Sequence, residues 1–352
     1  MAVDTSDRIL TIKVLTSGSI QPNLVITASH RAQYNGGTEP ENSMEAIKAL
    51  QLGTAEAKAD IVELDIKKSK DNFVYVMHDD YLQRTTDFLD RFPGIGKGEK
   101  DTYGHYDHYT WAEVSGLSLR KPDFSYTNRR IPLFKDVLRY IKNETSSLIN
   151  LDIGDMNVFR VVWDIVQEED AFHVCIFKTA NLTVNQYYSQ YFNPLSDAQK
   201  DKVIFFPMIT MSNPSHEKNP MKAYEEWENT CTGGGVNRCL AKGYELGYRG
   251  NNDDKDLLPV VKAIREKNRV RVHVFNTYSD TYEGRYMGNR NIGQCCNDAY
   301  DARGDWNYLL DPGNTGTYTQ GANGYIITDD PETLAENLKL IGKRPDLPTQ
   351  KN

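Results

Sequence analysis

The sequence predicts a single (β/α)8 barrel on three observations: eight short strand-like runs, helix-like segments between them, and enough chain to close a barrel with about 100 residues to spare. The strand signals are LVITAS at 24–29, IVELDI at 61–66, LINLDI at 148–153 and HVCIFK at 173–178. They continue with VIFFPMI at 203–209, YELGY at 244–248, VRVHVFN at 270–276 and YIIT at 325–328. Short runs rich in β-branched and aromatic residues suit a pleated, buried surface. Helical candidates lie at 43–53, 133–144, 158–168, 220–228, 255–267 and 331–340, several opened by a polar cap or a first-turn proline. Alternation of the two implies parallel strands joined by right-handed crossovers, and eight such units close into a barrel. The barrel is expected over 12–342, with 1–11 and 343–352 as terminal extensions. The surplus falls at about 88–128 and 279–322, rich in Gly, Asp and Tyr; both stretches follow a strand and so belong over the C-terminal mouth.

Composition narrows the class of function. The 352 residues carry 41 Lys and Arg against 49 Asp and Glu, a formal charge of −8, with no clustered basic stripe. A protein that bound nucleic acid by neutralising phosphates would show the opposite balance. Hydrophobic residues make up 39% and charged ones 26%, the mixture of a globular chain with a sizeable core. The longest apolar run, 203–211, has nine residues including a proline and is too short to span a bilayer. The opening MAVDTSDRIL lacks the basic start and apolar run of a leader, so the compartment is open; a secreted or periplasmic location is favoured if a leader has been removed. Nothing in the pattern sets the oligomeric state. Five cysteines, at 175, 231, 239, 295 and 296, match no zinc spacing. Cys231 and Cys239 flank the loop CTGGGVNRC, which either a disulfide closes or two thiols border.

The chemistry-bearing residues fall at strand ends. The first strand runs into His30 and Arg31, and a loop then delivers Pro40 to Ser43 as PENS. Glu63 and Asp65, two apart on the second strand, point to one face. A hairpin leads on to His78 and Asp79, with Arg84 beyond, and the third strand ends at Asp152. Inward side chains near the C-terminal ends of barrel strands line the mouth, so Glu63, Asp65 and Asp152 are expected to meet there. Three carboxylates repel one another unless a cation or shared proton neutralises them, and an all-oxygen set favours Mg²⁺ or Ca²⁺. Two histidines beside such an ion suit phosphoryl transfer, one taking a proton from the attacking oxygen and one protonating the leaving oxygen. Arg31 is placed to clamp a phosphate oxygen. Glu245, a charge inside the sixth strand, must face the mouth or a partner and is a candidate substrate contact. His105 and His108, in YGHYDHY, have a metal-compatible spacing but lie among tyrosines and aspartates that read as a solvated loop. His173 and His273 read as satisfied strand residues, and His216 as a loop residue.

The strings SHRAQYNGGTEPENS and VELDIKKSKDNFVYVMHDDYLQRTTD resemble the signature of the glycerophosphodiester phosphodiesterases: His-Arg, Pro-Glu-Asn-Ser/Thr, Glu-x-Asp, His-Asp and Arg-Thr-Thr, in order. The resemblance continues in RRIPLFKDVL at 129–138 and GANGYIITDDPETL at 321–334, and is weakest from about 180 to 265. It implies hydrolysis of a small-molecule or lipid-derived phosphodiester to an alcohol and glycerol phosphate, with one divalent cation. Carried over motif by motif, it makes His30 and His78 the acid/base pair, Arg31 a phosphate ligand, and Glu63 and Asp65 metal ligands. Glu41, in the PENS motif, holds the metal or the His-Arg loop. In the family's usual proposal the substrate's own hydroxyl attacks phosphorus; here no Ser or Cys nucleophile with a matched base is evident, which leaves a substrate hydroxyl or water.

Two positions depart from the family pattern. Its third strand usually ends Glu-x-Lys, where this chain has Asp152-Ile153-Gly154. Lys178, closing the adjacent strand, is then a candidate to supply the missing positive charge beside the phosphate. Phe275 stands where the family commonly has tryptophan, keeping an aromatic wall for the substrate. The aspartate at 152 also resembles that of sphingomyelinase-D-like phospholipases, so a lipid phosphodiesterase of that or the phosphatidylinositol-specific kind is the alternative. A barrel that has lost activity and binds a phosphorylated ligand is the second alternative; its intact histidines and carboxylates count against it.

Overall fold

A computed structural model describes residues 5–32, 38–52, 59–93, 104–121, 125–210, 219–232, 238–248, 252–276, 303–313 and 315–344. The strands, in chain order, are β1 (Ile26–Ser29), β2 (Ile61–Lys68), β3 (Val74–Val76), β4 (Ser118–Arg120), β5 (Tyr126–Arg130) and β6 (Leu148–Asp152). They continue with β7 (Cys175–Thr179), β8 (Ile204–Thr210), β9 (Tyr244–Tyr248), β10 (Val272–Asn276) and β11 (Tyr325–Thr328). Parallel pairing runs β1-β11-β10-β9-β8-β7-β6-β2, and β2 pairs back to β1, closing eight strands into the expected barrel.

Alternation along each strand divides the apolar residues into two shells. Ile26, Ala28, Ile61, Leu148, Ile176, Ile204, Phe206 and Tyr325 pack together inside the barrel. Their neighbours Val62, Leu64, Ile149, Leu151, Phe177, Phe205 and Leu246 pack outward against helices. The inner residues are apolar toward the strand starts and turn polar toward the ends, which directs the chemistry to one opening. The helices follow their sequence signals. Met156–Glu168 is capped by Asp155, and Pro220–Glu228 and Pro331–Leu340 each open on a proline preceded by a capping Asn219 or Asp330.

The opposite end is closed by the helix Ser6–Leu15, whose Val14 and Leu15 join the interior cluster. This corrects the expected boundary at residue 12, which cuts through that helix. Arg8 is buried and donates to the carbonyls of Ile141, Lys142, Thr145 and Ser147, so the segment is built into the barrel. The boundary at 342 moves likewise: Lys343 O accepts from Val25 N at 2.7 Å, and Arg344 pairs with Asp60 at 2.7 Å.

The first insertion is wider than 88–128. It begins at β3, which pairs antiparallel to the end of β2, and encloses its own core of Tyr75, Met77, Leu82, Phe88, Tyr106, Val114, Leu117, Leu119 and Ile131. Of the second insertion, 303–313 and 315–322 are described, including the helix Arg303–Leu310; 279–302, with Cys295 and Cys296, lies outside the described residues, as does His216. Cys231 and Cys239 form a disulfide and Cys175 is a buried thiol. Among the described residues no helix is long and apolar enough to cross a membrane.

Four carbonyls depend on the Arg8 guanidinium, and a buried acceptor left without its donor is costly. Arg8→Ala is therefore expected to lower stability by about 3 kcal/mol, read as a lower urea midpoint at unchanged slope. A midpoint equal to that of the parent would contradict the built-in role of the N-terminal helix.

Candidate active site

The parallel register of β2 with β6 sets Glu63 opposite Asn150 and Asp65 opposite Asp152. Carboxylate oxygens of Glu63, Asp65 and Asp152 lie within 4.8 Å of one another. Glu63 and Asp65 are buried, whereas the Asp152 side chain is 46% exposed and opens the cluster to the mouth. Glu63 accepts the Arg31 backbone N–H at 2.8 Å, and Asp65 accepts from Asn42 Nδ2 at 2.9 Å. Burial, then the neighbouring Asp65 and Asp152 charges, push the Glu63 carboxyl well above the usual range, against the opposing pull of Lys178 and the Arg31 N–H. Burial acts on Asp65 in the same direction, but His78, Arg31, His30 and Asn42 together hold it below its ordinary value. Such a set, all oxygen, fits a hard divalent cation.

The turn after β1 brings the other groups in. Arg31 and Ala32 adopt left-handed backbone (φ 47° and 55°), as does Asn42 (φ 56°), a conformation costing about 1–2 kcal/mol for each residue with a Cβ. Asn42 N–H bonded to Arg31 O at 2.8 Å ties the His-Arg turn to the PENS loop and helps hold it.

Both histidines have an aspartate on Nδ1. His30 Nδ1 lies 2.5 Å from Asp329 Oδ1, and His78 Nδ1 lies 2.6 Å from Asp79 Oδ1. An ionised carboxylate only accepts, so each Nδ1 carries the proton and each Nε2 is the basic nitrogen. Arg84 grips Asp79 at 2.6 and 2.7 Å and reaches both oxygens of Glu41, at 2.8 and 2.9 Å. Burial raises the Asp79 carboxyl, but hydrogen bonds from His78 and Arg84 outweigh it and keep the group ionised far below the usual range.

Arg31 and Glu41 are placed against each other. The Arg31 guanidinium is 1% exposed, with Nη1 3.2 Å from Glu41 and Nε 3.5 Å from Asp65. Its charge is directed at those carboxylates, within the wall of the site. Glu41 lies outside the three-carboxylate cluster and accepts from Arg84 and Arg31; of the two roles drawn from the resemblance, this geometry matches holding the His-Arg loop.

Lys178 and Glu245 form a buried pair at 2.8 Å under the cluster, and Lys178 Nζ is 3.5 Å from Asp152 Oδ2. Burial disfavours the ammonium, but Glu245, Asp152 and Glu63 more than compensate and raise its pKa. Glu245 is 0% exposed and also accepts from Asn150 and Tyr325, so it is a partner of Lys178 and not the substrate contact expected. The Phe275 ring is partly buried with its centroid 5.4 Å from Lys178 Nζ. A Cβ at Gly247 would fall 2.6 Å from that ring, so the glycine in YELGY makes the room Phe275 occupies. At Gly154, where the resemblance leads one to expect lysine, nothing lies within 4 Å of a Cβ.

Fold and site together define a (β/α)8 barrel whose mouth sets two histidine–aspartate pairs beside a three-carboxylate cluster. Residues 30–292 match the glycerophosphoryl diester phosphodiesterase family, and the chain belongs to it. A glycerophosphodiester phosphodiesterase of Bacillus subtilis is 29% identical over 122 residues, 34% of this chain and 37% of that protein, so the match spans well under two thirds of the relative. A glycerophosphoryl diester phosphodiesterase structure from Parabacteroides distasonis superposes with a TM-score of 0.63 at 17% identity, over 99% of this chain and 96% of the other. A phosphodiesterase of Oleispira antarctica, solved with the product sn-glycerol-3-phosphate, superposes at 0.50 and 14% identity, over 90% and 97%. At such identities the structures establish the shared fold.

The aspartate contacts dictate one tautomer for both rings. Two-bond ¹H–¹⁵N spectra are expected to show His30 and His78 protonated on Nδ1 in their neutral forms, and Asp329→Asn should disturb His30 while leaving His78 as it was. Nε2 protonation of neutral His30 in the parent protein would contradict this arrangement.

Proposed function

We propose that the protein hydrolyses glycerophosphodiesters to an alcohol and glycerol phosphate, with His30 and His78 as the acid/base pair. The observation that carries this reading is geometric: the His30–Asp329 and His78–Asp79 contacts and the Glu63, Asp65 and Asp152 carboxylates all gather at the strand ends of one barrel. Family membership and the Oleispira antarctica complex with sn-glycerol-3-phosphate support it.

Glu63, Asp65 and Asp152 would hold a divalent cation, Mg²⁺ or Ca²⁺, which when bound offsets the negative charge of the phosphodiester as its bonds change. One imidazole takes at Nε2 the proton of the attacking hydroxyl, that of water or of the substrate's own glycerol, while the other, starting as the imidazolium, delivers its Nε2 proton to the departing alkoxide oxygen. Where the glycerol hydroxyl attacks, water then opens the cyclic phosphate with the proton transfers reversed. Asp329 and Asp79 hold each ring in the required tautomer and favour the imidazolium that forms on proton uptake. Lys178 keeps a positive charge beside Asp152 from below, and Phe275 supplies an apolar wall.

The decisive assay incubates the protein with glycerophosphocholine, glycerophosphoinositol, lysophosphatidylcholine and sphingomyelin, with Mg²⁺, Ca²⁺ or chelator. Soluble diesters are expected to turn over, chelator to abolish turnover and added cation to restore it. His30→Ala and His78→Ala should each lower kcat by about 10²–10⁴-fold. Turnover of the lipids alone would replace this reading with a phospholipase, and undiminished activity in His30→Ala would sink the mechanism.

A second variant tests the lysine. Removing Lys178 alone would leave Glu245 buried and uncompensated, so Lys178→Met is paired with Glu245→Gln. If Lys178 supplies the positive charge, the double variant should lose about 10²-fold in kcat relative to Glu245→Gln alone. Equal rates would show that the charge is supplied elsewhere.

A further inference from the structure

A second group of metal-competent side chains lies on the first insertion, apart from the carboxylates at the mouth. His105, Asp107 and His108 each offer a ligand atom, all within 4.8 Å of one another. The stretch YGHYDHY forms a tight turn, Tyr106–His108, closed by His108 N–H donating to His105 O at 3.1 Å. Side chains three apart eclipse in a turn of that pitch, so the two imidazoles fall on one face. Asp107 Oδ1 lies between them, hydrogen-bonded to His105 Nδ1 and 3.4 Å from His108 Nε2. Ligand atoms around a tetrahedral ion with bonds of 2.0–2.1 Å sit about 3.3 Å apart, close to the spacing already present at His108. The tyrosines that make the sequence read as a solvated loop have another part here. Tyr106 stacks on the His105 ring at 4.7 Å and Tyr81 meets it edge-on at 5.4 Å, fixing the orientation of that imidazole.

We propose that His105, Asp107 and His108 form a second metal site, for Zn²⁺, on the rim of the barrel mouth. Two imidazoles and one carboxylate suit a borderline transition-metal ion, whereas the oxygen-only cluster of Glu63, Asp65 and Asp152 suits Mg²⁺ or Ca²⁺. The side chains of His105, Asp107 and His108 are 26%, 51% and 48% exposed, so an ion reaches them from solvent and finds room for a further ligand. The turn is fastened to the strand end that carries His78: Tyr106 N–H donates to Asp80 O and Leu82 N–H to Gly104 O, both at 2.9 Å. An ion held there braces the turn that these hydrogen bonds fasten to the segment immediately after the His78–Asp79 pair. The two sites share no residue, so the proposal stands or falls separately from the hydrolytic reading.

The test titrates Zn²⁺ into the untagged full chain in excess Mg²⁺, with calorimetry for stoichiometry and imidazole ¹⁵N resonances for location. One equivalent is expected, shifting His105 and His108 while His30 and His78 stay in place. The equivalent should vanish in the double variant His105→Gln/His108→Gln, weaken in Asp107→Asn, and persist in Glu63→Gln/Asp65→Asn. Absence of Zn²⁺ binding, survival of the equivalent in the double histidine variant, or shifts at His30 and His78 instead would each overturn the proposal. Because the parent spectra locate the ion without any substitution, a variant that fails to fold leaves the test intact.

Discussion

Two carboxylates buried side by side on one strand are the constraint around which the mouth is arranged. Glu63 and Asp65 cannot both remain ionised inside a protein without donors or positive charge close at hand. Much of what surrounds them supplies it. The His-Arg turn adopts a strained backbone that aims an N–H at Glu63, the PENS loop brings Asn42 to Asp65, and Lys178 reaches Asp152 from β7, two strands along from β2. The arginines extend the arrangement outward: Arg31 links Asp65 to Glu41, and Arg84 links Glu41 to Asp79 and so to His78. His78 and the cluster thus belong to one connected lattice of charges.

The barrel was legible because its signals are local. Most strand runs are short β-branched stretches bounded by turn residues, and YELGY and YIIT coincide with β9 and β11 residue for residue. The cluster was legible for a related reason: a spacing of two on a strand puts Glu63 and Asp65 on one face, and the strand ends define the mouth. What depended on pairs distant in the chain was harder to read. Asp329 is 299 residues from His30, and only the position of TDDPE at the end of the last strand hinted that its carboxylate reaches the first.

Charged residues inside strands were the other blind spot. Glu245 and Lys178 each carried a signal, a charge where an apolar residue belongs, but that signal does not distinguish facing a substrate from facing each other. The terminal boundaries failed for a similar reason. Residues 6–15 carry little amphipathic pattern, because their anchors are one arginine and two apolar side chains at the helix end. Tertiary partners decided their fate, and those partners are more than a hundred residues away.

The helix that seals the strand starts has a bearing on traffic through the molecule. With Val14 and Leu15 filling the interior at that end, the described residues leave the barrel open at its strand ends. Whatever enters must back out through the same aperture, past the Asp152 lip and beneath the first insertion. Two fragments of a cleaved diester would share that exit, so the order in which they depart is set by which of them the charged floor holds harder. On the proposed reaction the glycerol phosphate, the anionic fragment, would face Lys178 and any bound cation and so be the one detained.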